Sequence, residues 1–357
     1  MIMANLKNKI KAYLKLIRVH TVIATALTPS LGAFATFSVL SGDLIPWDKI
    51  SILIPLFLVG IIVHVFGEIL NDYMDYEIDK ANIELKDKPL VSGDISKRSA
   101  LIGLILCLVF LIIILVYFPF NVFSILMLSI AAITGIIYQI ISKKWLHSAI
   151  FLALYAFFIV LFGGVYAGDY NSFSDIPSFV YIIAILGFFQ LWINTAILGH
   201  LKDIKNDTEC GVKTLPMIFG VKVEGKGKTP KLIIPVGFKS LVIILQIINL
   251  FVAFIPIIFY KKFYAGEINL YLLSFSLVLI SIIMMVSQIR TLWNKLFERN
   301  KLMRIMAVRE IGAYFLAIVL LSPFMGVIFV MIYIFLPLIW FTIINLAFTG
   351  NPMQAAI

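Results

Sequence analysis

Two acidic runs stand out as candidates for chemistry: Asn71-Asp72-Tyr73-Met74-Asp75-Tyr76-Glu77-Ile78-Asp79 and Asp203-Ile204-Lys205-Asn206-Asp207. On a helix at about 100° per residue, Asp72, Asp75 and Asp79 fall within about 60° of one another. Asn71 with Asp75, and Asp203 with Asp207, are i,i+4 neighbours. Oxygen donors with no histidine or cysteine inside either run suit Mg²⁺ rather than zinc or copper. Mg²⁺ keeps several waters and takes a few carboxylates plus substrate phosphates, so two facing half-sites would hold a diphosphate through bridging metal. A basic loop follows each run, which favours an anionic ligand. The plainer reading of the first run is a solvated helix end, and its recurrence later in the chain argues against that. Taken alone, Asp203 and Asp207 would equally suit a surface helix paired with Lys202 and Lys205.

The elements that must position these residues are membrane helices. The chain has 357 residues, 62% hydrophobic and 13% charged, with mean hydropathy +1.05. A soluble domain is roughly half apolar and about a quarter charged. Spans of close to twenty apolar residues are predicted at Val22–Leu40, Ile50–Leu70, Ala100–Phe118, Asn121–Ile141, Ala149–Ala167, Phe179–Leu198, Leu241–Tyr260 and Leu270–Ile289. Ile311–Phe348, with Pro323 and Pro337, is too long for one span. It reads as two short spans, or as one span plus a re-entrant piece, for nine or ten in all. Val22–Leu40 exceeds a usual signal-peptide core, so a retained first helix is expected. Cys107 within a span and Cys210 in a loop make no disulfide framework or redox motif.

If the N-terminus with Lys7, Lys9, Lys11, Lys15 and Arg18 is cytoplasmic, alternating spans put all 29 Lys and Arg inside except Lys49, Lys261 and Lys262. That asymmetry is the positive-inside pattern. The net charge of +10 is then explained by loops facing an anionic leaflet, with no need for nucleic acid. The acidic runs end the second and sixth spans. An even separation sends both helices the same way, so both runs emerge on one face. The expected fold is an all-α membrane bundle of two pseudo-repeated four-helix halves around a central cavity open to the cytoplasm. Gly60, Gly67, Gly103, Gly135, Gly163, Gly164 and Gly187 are available for close helix approach.

In order and spacing, residues 14–220 resemble the UbiA superfamily of intramembrane prenyltransferases. Asn71, Asp72, Asp75 and Asp79 match its NDxxDxxxD motif, and Asp203 and Asp207 its second, DxxxD motif. Lys88-Pro89-Leu90-Val91-Ser92-Gly93 resembles the family's RPLPSG, and Lys213-Thr214-Leu215-Pro216 its KTLP. Tyr138 with Lys143 resembles YSxxxK, and Arg18 sits where a first-span arginine is expected. There are departures: Lys88 keeps the charge of an arginine but loses its planar fork, Val91 replaces a proline, and Gln139 stands where a serine is common.

The resemblance implies a single integral-membrane prenyltransferase domain over residues 1–357. Its first half would be 14–141, its second 149–289, and the C-terminal spans 290–357. It implies that Mg²⁺ on Asn71, Asp75, Asp203 and Asp207 binds a polyprenyl diphosphate, with Asp72 and Asp79 as ligands or partners of ligands. Arg18, Lys88, Lys143 and Tyr138 would bind the diphosphate. Metal and cations would stabilise the departing pyrophosphate as the allylic C–O bond ionises, and aromatic faces would shelter the cation. His64 and Glu68, at i,i+4 in the second span, read as an acceptor contact or as hydrogen-bonding residues in the cavity.

A cation transporter is the competing reading, but transporters hold ions near mid-bilayer on broken helices. A CDP-alcohol phosphotransferase lacks its expected DGxxAR opening here. The Tyr73–Asp79 text and the Ile/Lys-rich composition look like archaeal-type members of the superfamily. They favour a glycerol phosphate lipid acceptor for ether-lipid synthesis, with an aromatic quinone precursor as the alternative.

Overall fold

Among the described residues, nine helices are long and apolar enough to cross a membrane. The computed structural model describes residues 2–41, 47–80, 85–142, 145–209, 211, 213–225, 230–259 and 267–349. A lipid environment requires every backbone polar group to be satisfied within its own segment, which is why apolar stretches of this length form helices. The protein is an integral, multi-pass membrane protein.

The helix Ile2–Leu16 (α1), rich in lysine, precedes the first span. That span is broken into Val22–Ala26 (α2) and Thr28–Ser41 (α3). Pro29 explains the break, because its ring removes an N–H and crowds the carbonyl four residues back. Leu53–Lys80 (α4) follows. Its 28 residues extend about 42 Å, well beyond a hydrocarbon layer of about 30 Å. The first acidic run therefore continues the helix rather than lying in a loop after it.

Pro89–Ser92 (α5), Lys97–Tyr117 (α6), Val122–Ile141 (α7) and Ala149–Gly168 (α8) come next. α8 packs on α3 and α7 through small residues. A Cβ on Gly163 would sit 1.7 Å from the Pro29 carbonyl oxygen, and one on Gly60 2.4 Å from that of Ala26, so only glycine allows these helices to approach so closely. The sixth span begins as Ser178–Trp192 (α9), which also packs on α8. It loosens into a π-helical turn at Ile193–Gly199 and resumes as His200–Glu209 (α10).

After Leu215–Ile218 (α11), Lys222–Glu224 (β1) and Lys231–Ile233 (β2) pair antiparallel. Residues 226–229 lie outside the described residues. Val236–Phe259 (α12) and Glu267–Leu292 (α13) lead into Arg299–Thr349 (α14).

α14 settles how the C-terminal apolar stretch is used. Gly326 has φ 73 and ψ 156, which breaks the helix just after Pro323. The limb before it packs on α13, and the limb after it doubles back, so that Tyr314 donates to the Tyr333 carbonyl at 3.2 Å. The returning limb lies along α3, with Phe34 edge-on to Phe329 and Tyr333, and Ser30 and Tyr333 share a short hydroxyl contact. Of the two sequence readings for this stretch, the helical hairpin is the one observed.

Candidate functional site

The end of α4 gathers a chain of alternating charges. Asp72 and Asp79 lie on one face and are 5% and 2% exposed. Lys88 bridges them, donating to Asp72 Oδ1 at 2.9 Å and to Asp79 Oδ2 at 2.7 Å. Lys88 caps α5, a single turn begun by Pro89 and closed by Gly93 at φ 84, and this tight turn holds the ammonium over α4. Arg18 approaches from the other side. Its Nε lies 2.9 Å from Glu68 Oε2 and its Nη2 3.7 Å from Asp72 Oδ1.

Arg18 reaches this position from a turn in which its own φ is 43, a left-handed backbone costing about 1 kcal/mol or more for a non-glycine residue. Burial alone would lower the Arg18 pKa, but Glu68, Asp72, Asp79 and Asp75 outweigh it and hold the guanidinium above its ordinary value. Lys88 is likewise held up: burial acts against its charge, and Asp72 and Asp79 overcome that by charge and by hydrogen bonds. Both cations are thus fixed in charged form beside the carboxylates.

Of the other expected site residues, Asn71 and Asp75 are half-buried on the same helix. Tyr138, on α7, lies within electrostatic range of Asp75, Arg18 and Glu68. Lys143 lies outside the described residues. His64 Nε2 donates to the Ile17 carbonyl at 3.0 Å, bracing the Arg18 turn. Glu68 is engaged by Arg18.

The second acidic run occupies α10 with partners the sequence did not suggest. Asp203 Oδ1 accepts from Arg299 Nε at 3.0 Å, and Asp207 Oδ2 lies 3.3 Å from His200 Nδ1. Lys202 instead lines a cleft of about 80 Å³ with Asn194, Leu198, Gly199, Met306 and Glu310. Behind it sits a residue that sequence reasoning passed over, Arg309, with none of its surface exposed. Its Nε donates to Gln246 Oε1 at 2.9 Å and its Nη1 to Asn194 Oδ1. Asn194 in turn donates to Glu310 at 3.2 Å. A guanidinium taken fully out of water is costly unless its donors are paired, so such a residue signals a task. The signal available in the sequence was an Arg-Glu pair directly before the last apolar stretch.

Below Glu68 opens a mostly apolar cavity of about 300 Å³. It is walled by α4 (Val63, Phe66, Gly67), α6 (Leu108, Leu111) and α7 (Gly135), and also lined by Leu191 of α9. The second and sixth spans thus both touch the hollow, and none of Asn71, Asp72, Asp75, Asp79, Asp203 or Asp207 is among its lining residues. Gly67 leaves it open, since an added Cβ there would meet nothing within 4 Å.

The donor set is entirely hard oxygen and is partly open to water: the Asp203 and Asp207 side chains are 35% and 14% exposed. Hard oxygens with access to water fit a hydrated Mg²⁺ that completes its shell with substrate phosphate. Among the described residues no three acidic, histidine or cysteine side chains come together as a ready metal site.

Several known proteins are similar. The digeranylgeranylglyceryl phosphate synthase of Methanococcus aeolicus is 30% identical over 216 residues, 59% of this chain and 70% of that protein. The 4-hydroxybenzoate octaprenyltransferase of Francisella tularensis is 30% identical over 223 residues, covering 61% and 72%. A UbiA homolog from Archaeoglobus fulgidus, solved bound to GPP and Mg²⁺, superposes with a TM-score of 0.56 at 19% identity, covering 87% of this chain and 99% of that one. Residues 26–305 match the UbiA prenyltransferase family, a stretch holding both acidic runs, and the chain belongs to that family of prenyl-transferring membrane enzymes.

Proposed function

We propose that this enzyme transfers an isoprenyl group from a polyprenyl diphosphate to a lipophilic glycerol phosphate acceptor, as in the synthesis of digeranylgeranylglyceryl phosphate. The observation that carries this reading is an apolar hollow lined at one end by Glu68, which holds Arg18 beside the Asp72–Lys88–Asp79 chain. The tail would lie in the 300 Å³ cavity, with the diphosphate at the ends of α4 and α10 and each half of the chain supplying one acidic wall.

Asn71, Asp75, Asp203 and Asp207 would hold Mg²⁺, which neutralises the diphosphate and makes pyrophosphate a better leaving group. Lys88 and Arg18 leave their carboxylate partners in part and turn their remaining donors to the phosphate oxygens. Asp72 and Asp79 keep those cations aimed and charged. Tyr138 and, by its match to the family's motif, Lys143 would be further donors. The C–O bond to the allylic carbon breaks, pyrophosphate departs, the acceptor hydroxyl oxygen forms the new C–O bond, and its proton leaves to solvent. Glu68, already paired with Arg18, is better suited to holding that cation than to removing the proton.

The acceptor assignment rests on the relatives named for digeranylgeranylglyceryl phosphate synthesis. The aromatic alternative rests on the octaprenyltransferase relative. The charge placement supports a cytoplasmic N-terminus and a cytoplasmic diphosphate site.

Membranes holding the protein, given radiolabelled geranylgeranyl diphosphate and Mg²⁺, should release pyrophosphate only when geranylgeranylglyceryl phosphate is added, and EDTA should stop it. A product formed on 4-hydroxybenzoate but not on the glycerol lipid would replace the acceptor reading. Cavity depth should also govern donor length. Gly135 lines the hollow, and a Cβ there would stand 3.5 Å from Tyr155. Gly135→Leu is therefore expected to lower kcat/KM for geranylgeranyl relative to geranyl diphosphate by roughly ten-fold or more. An unchanged ratio would place the tail elsewhere.

A further inference from the structure

The returning limb of the terminal hairpin, residues 327–349, lies beyond the 26–305 stretch shared with the family. Along most of its length it packs on α3, yet its last turns leave that helix and grip the turn that carries Arg18. Trp340 Nε1 donates to the Val19 carbonyl at 2.6 Å. Phe341 meets the His20 ring edge-on at 5.7 Å. Further on, Lys11 of α1 donates to the Phe348 carbonyl at 3.5 Å and stands over the Phe348 ring.

We propose that Trp340 is a positioning residue for the diphosphate site, clamping the Arg18–Thr21 turn so that the Arg18 guanidinium stays between Glu68 and Asp72. This rests on the role given to Arg18 above.

Arg18 at φ 43 occupies a backbone region that a non-glycine residue leaves unless its surroundings fix it. Within the turn, Arg18 N–H donates to Lys15, Val19 N–H to Leu14, and Thr21 Oγ1 to the Arg18 carbonyl. Those local bonds close the turn, and bonds from outside hold it in place. His64 takes the Ile17 carbonyl on one side of Arg18, and Trp340 takes the Val19 carbonyl on the other. A tryptophan serving only as a membrane-interface anchor would turn its N–H to the headgroup layer. Here that N–H is spent on the backbone next to the cation.

Trp340→Phe keeps the ring and removes the donor. It is expected to raise KM for the prenyl diphosphate roughly three- to ten-fold, the range one neutral hydrogen bond carries, with acceptor KM and the Mg²⁺ requirement unchanged. In an Arg18→Ala background the same substitution should add nothing, because the group it positions is gone. Leu336→Ala, on the exposed side of the same limb, should leave every constant unchanged. Hydrogen exchange at the Val19–Thr21 amides of the protein without substrate supplies a readout apart from catalysis, and Trp340→Phe should speed it. Unchanged exchange would overturn the clamp. Faster exchange with unchanged diphosphate KM in both Trp340→Phe and Arg18→Ala would instead overturn the role of Arg18. Additive losses in the double variant would reduce Trp340 to a general stabiliser of the bundle.

Discussion

Asp203→Asn and Asp207→Asn, made singly, are each expected to lower kcat by more than about 100-fold while leaving the protein folded, the scale on which a displaced charge ligand at a reacting phosphate is felt. The amide keeps the size of the side chain and one oxygen, so packing in α10 is preserved, but the negative charge that draws Mg²⁺ is lost. Raising Mg²⁺ should recover part of the activity, since a weakened ligand set shifts the metal affinity before it removes the site. The control is Arg299→Ala. Arg299 is the partner of Asp203 at 3.0 Å, and both side chains are more than a third exposed, so the pair contributes little to stability. Removing it should leave kcat within a few-fold, because the carboxylate remains for the metal. If Asp203→Asn and Arg299→Ala cost the same, the carboxylate serves only a surface ion pair, and the two-walled metal site is wrong.

The parts of this site that were legible in the sequence are those written in local spacing. Asn71, Asp72, Asp75 and Asp79 repeat at helical intervals, and the apolar run before them is long enough to say where the helix leaves the lipid. The structure adds that α4 stays helical to Lys80, which is what places Asp72 and Asp79 on one buried face. The partnerships were not legible, because they join residues far apart in the chain. Arg299 meets Asp203 across 96 positions and Trp340 meets Val19 across 321, and no periodicity encodes such pairs. Lys88 was found by resemblance, yet its bridging of two carboxylates depends on the α5 turn, a tertiary feature. The C-terminal stretch was ambiguous for a definite reason: Pro323 and Pro337 both mark breaks, and the actual reversal falls at Gly326, one glycine among several. The π-helical turn at Ile193–Gly199 left no mark that apolar periodicity could reveal.

That π-helical turn carries the other large effect. A residue added to a regular helical ladder turns everything beyond it by about 100°, and a π-helical turn absorbs such a residue so that the helix beyond stays in phase. α9 is fixed by its packing on α8 and α3, so what the turn absorbs decides which way Asp203 and Asp207 leave it. Arg309 marks where the structure holds it. The guanidinium is wholly buried, Asn194 inside the turn accepts from it, and Arg309 Nη2 and Gln246 Nε2 have no partner among the described residues. A buried guanidinium left partly unsatisfied is retained only where the geometry it enforces is needed. Inserting one alanine between Gly199 and His200 adds a residue that the turn does not absorb and should swing both carboxylates by about 100°, with activity falling by about 1,000-fold or more. Helical content and detergent-solubilised melting should change far less, because the apolar faces of α9 still meet α8. Deleting Thr195 in the insertion variant restores the length and should restore much of the activity. An insertion variant that remained active, or one that the deletion failed to rescue despite folding, would show that the direction of α10 is set elsewhere, by its packing on α11 and α14 rather than by the turn beneath it.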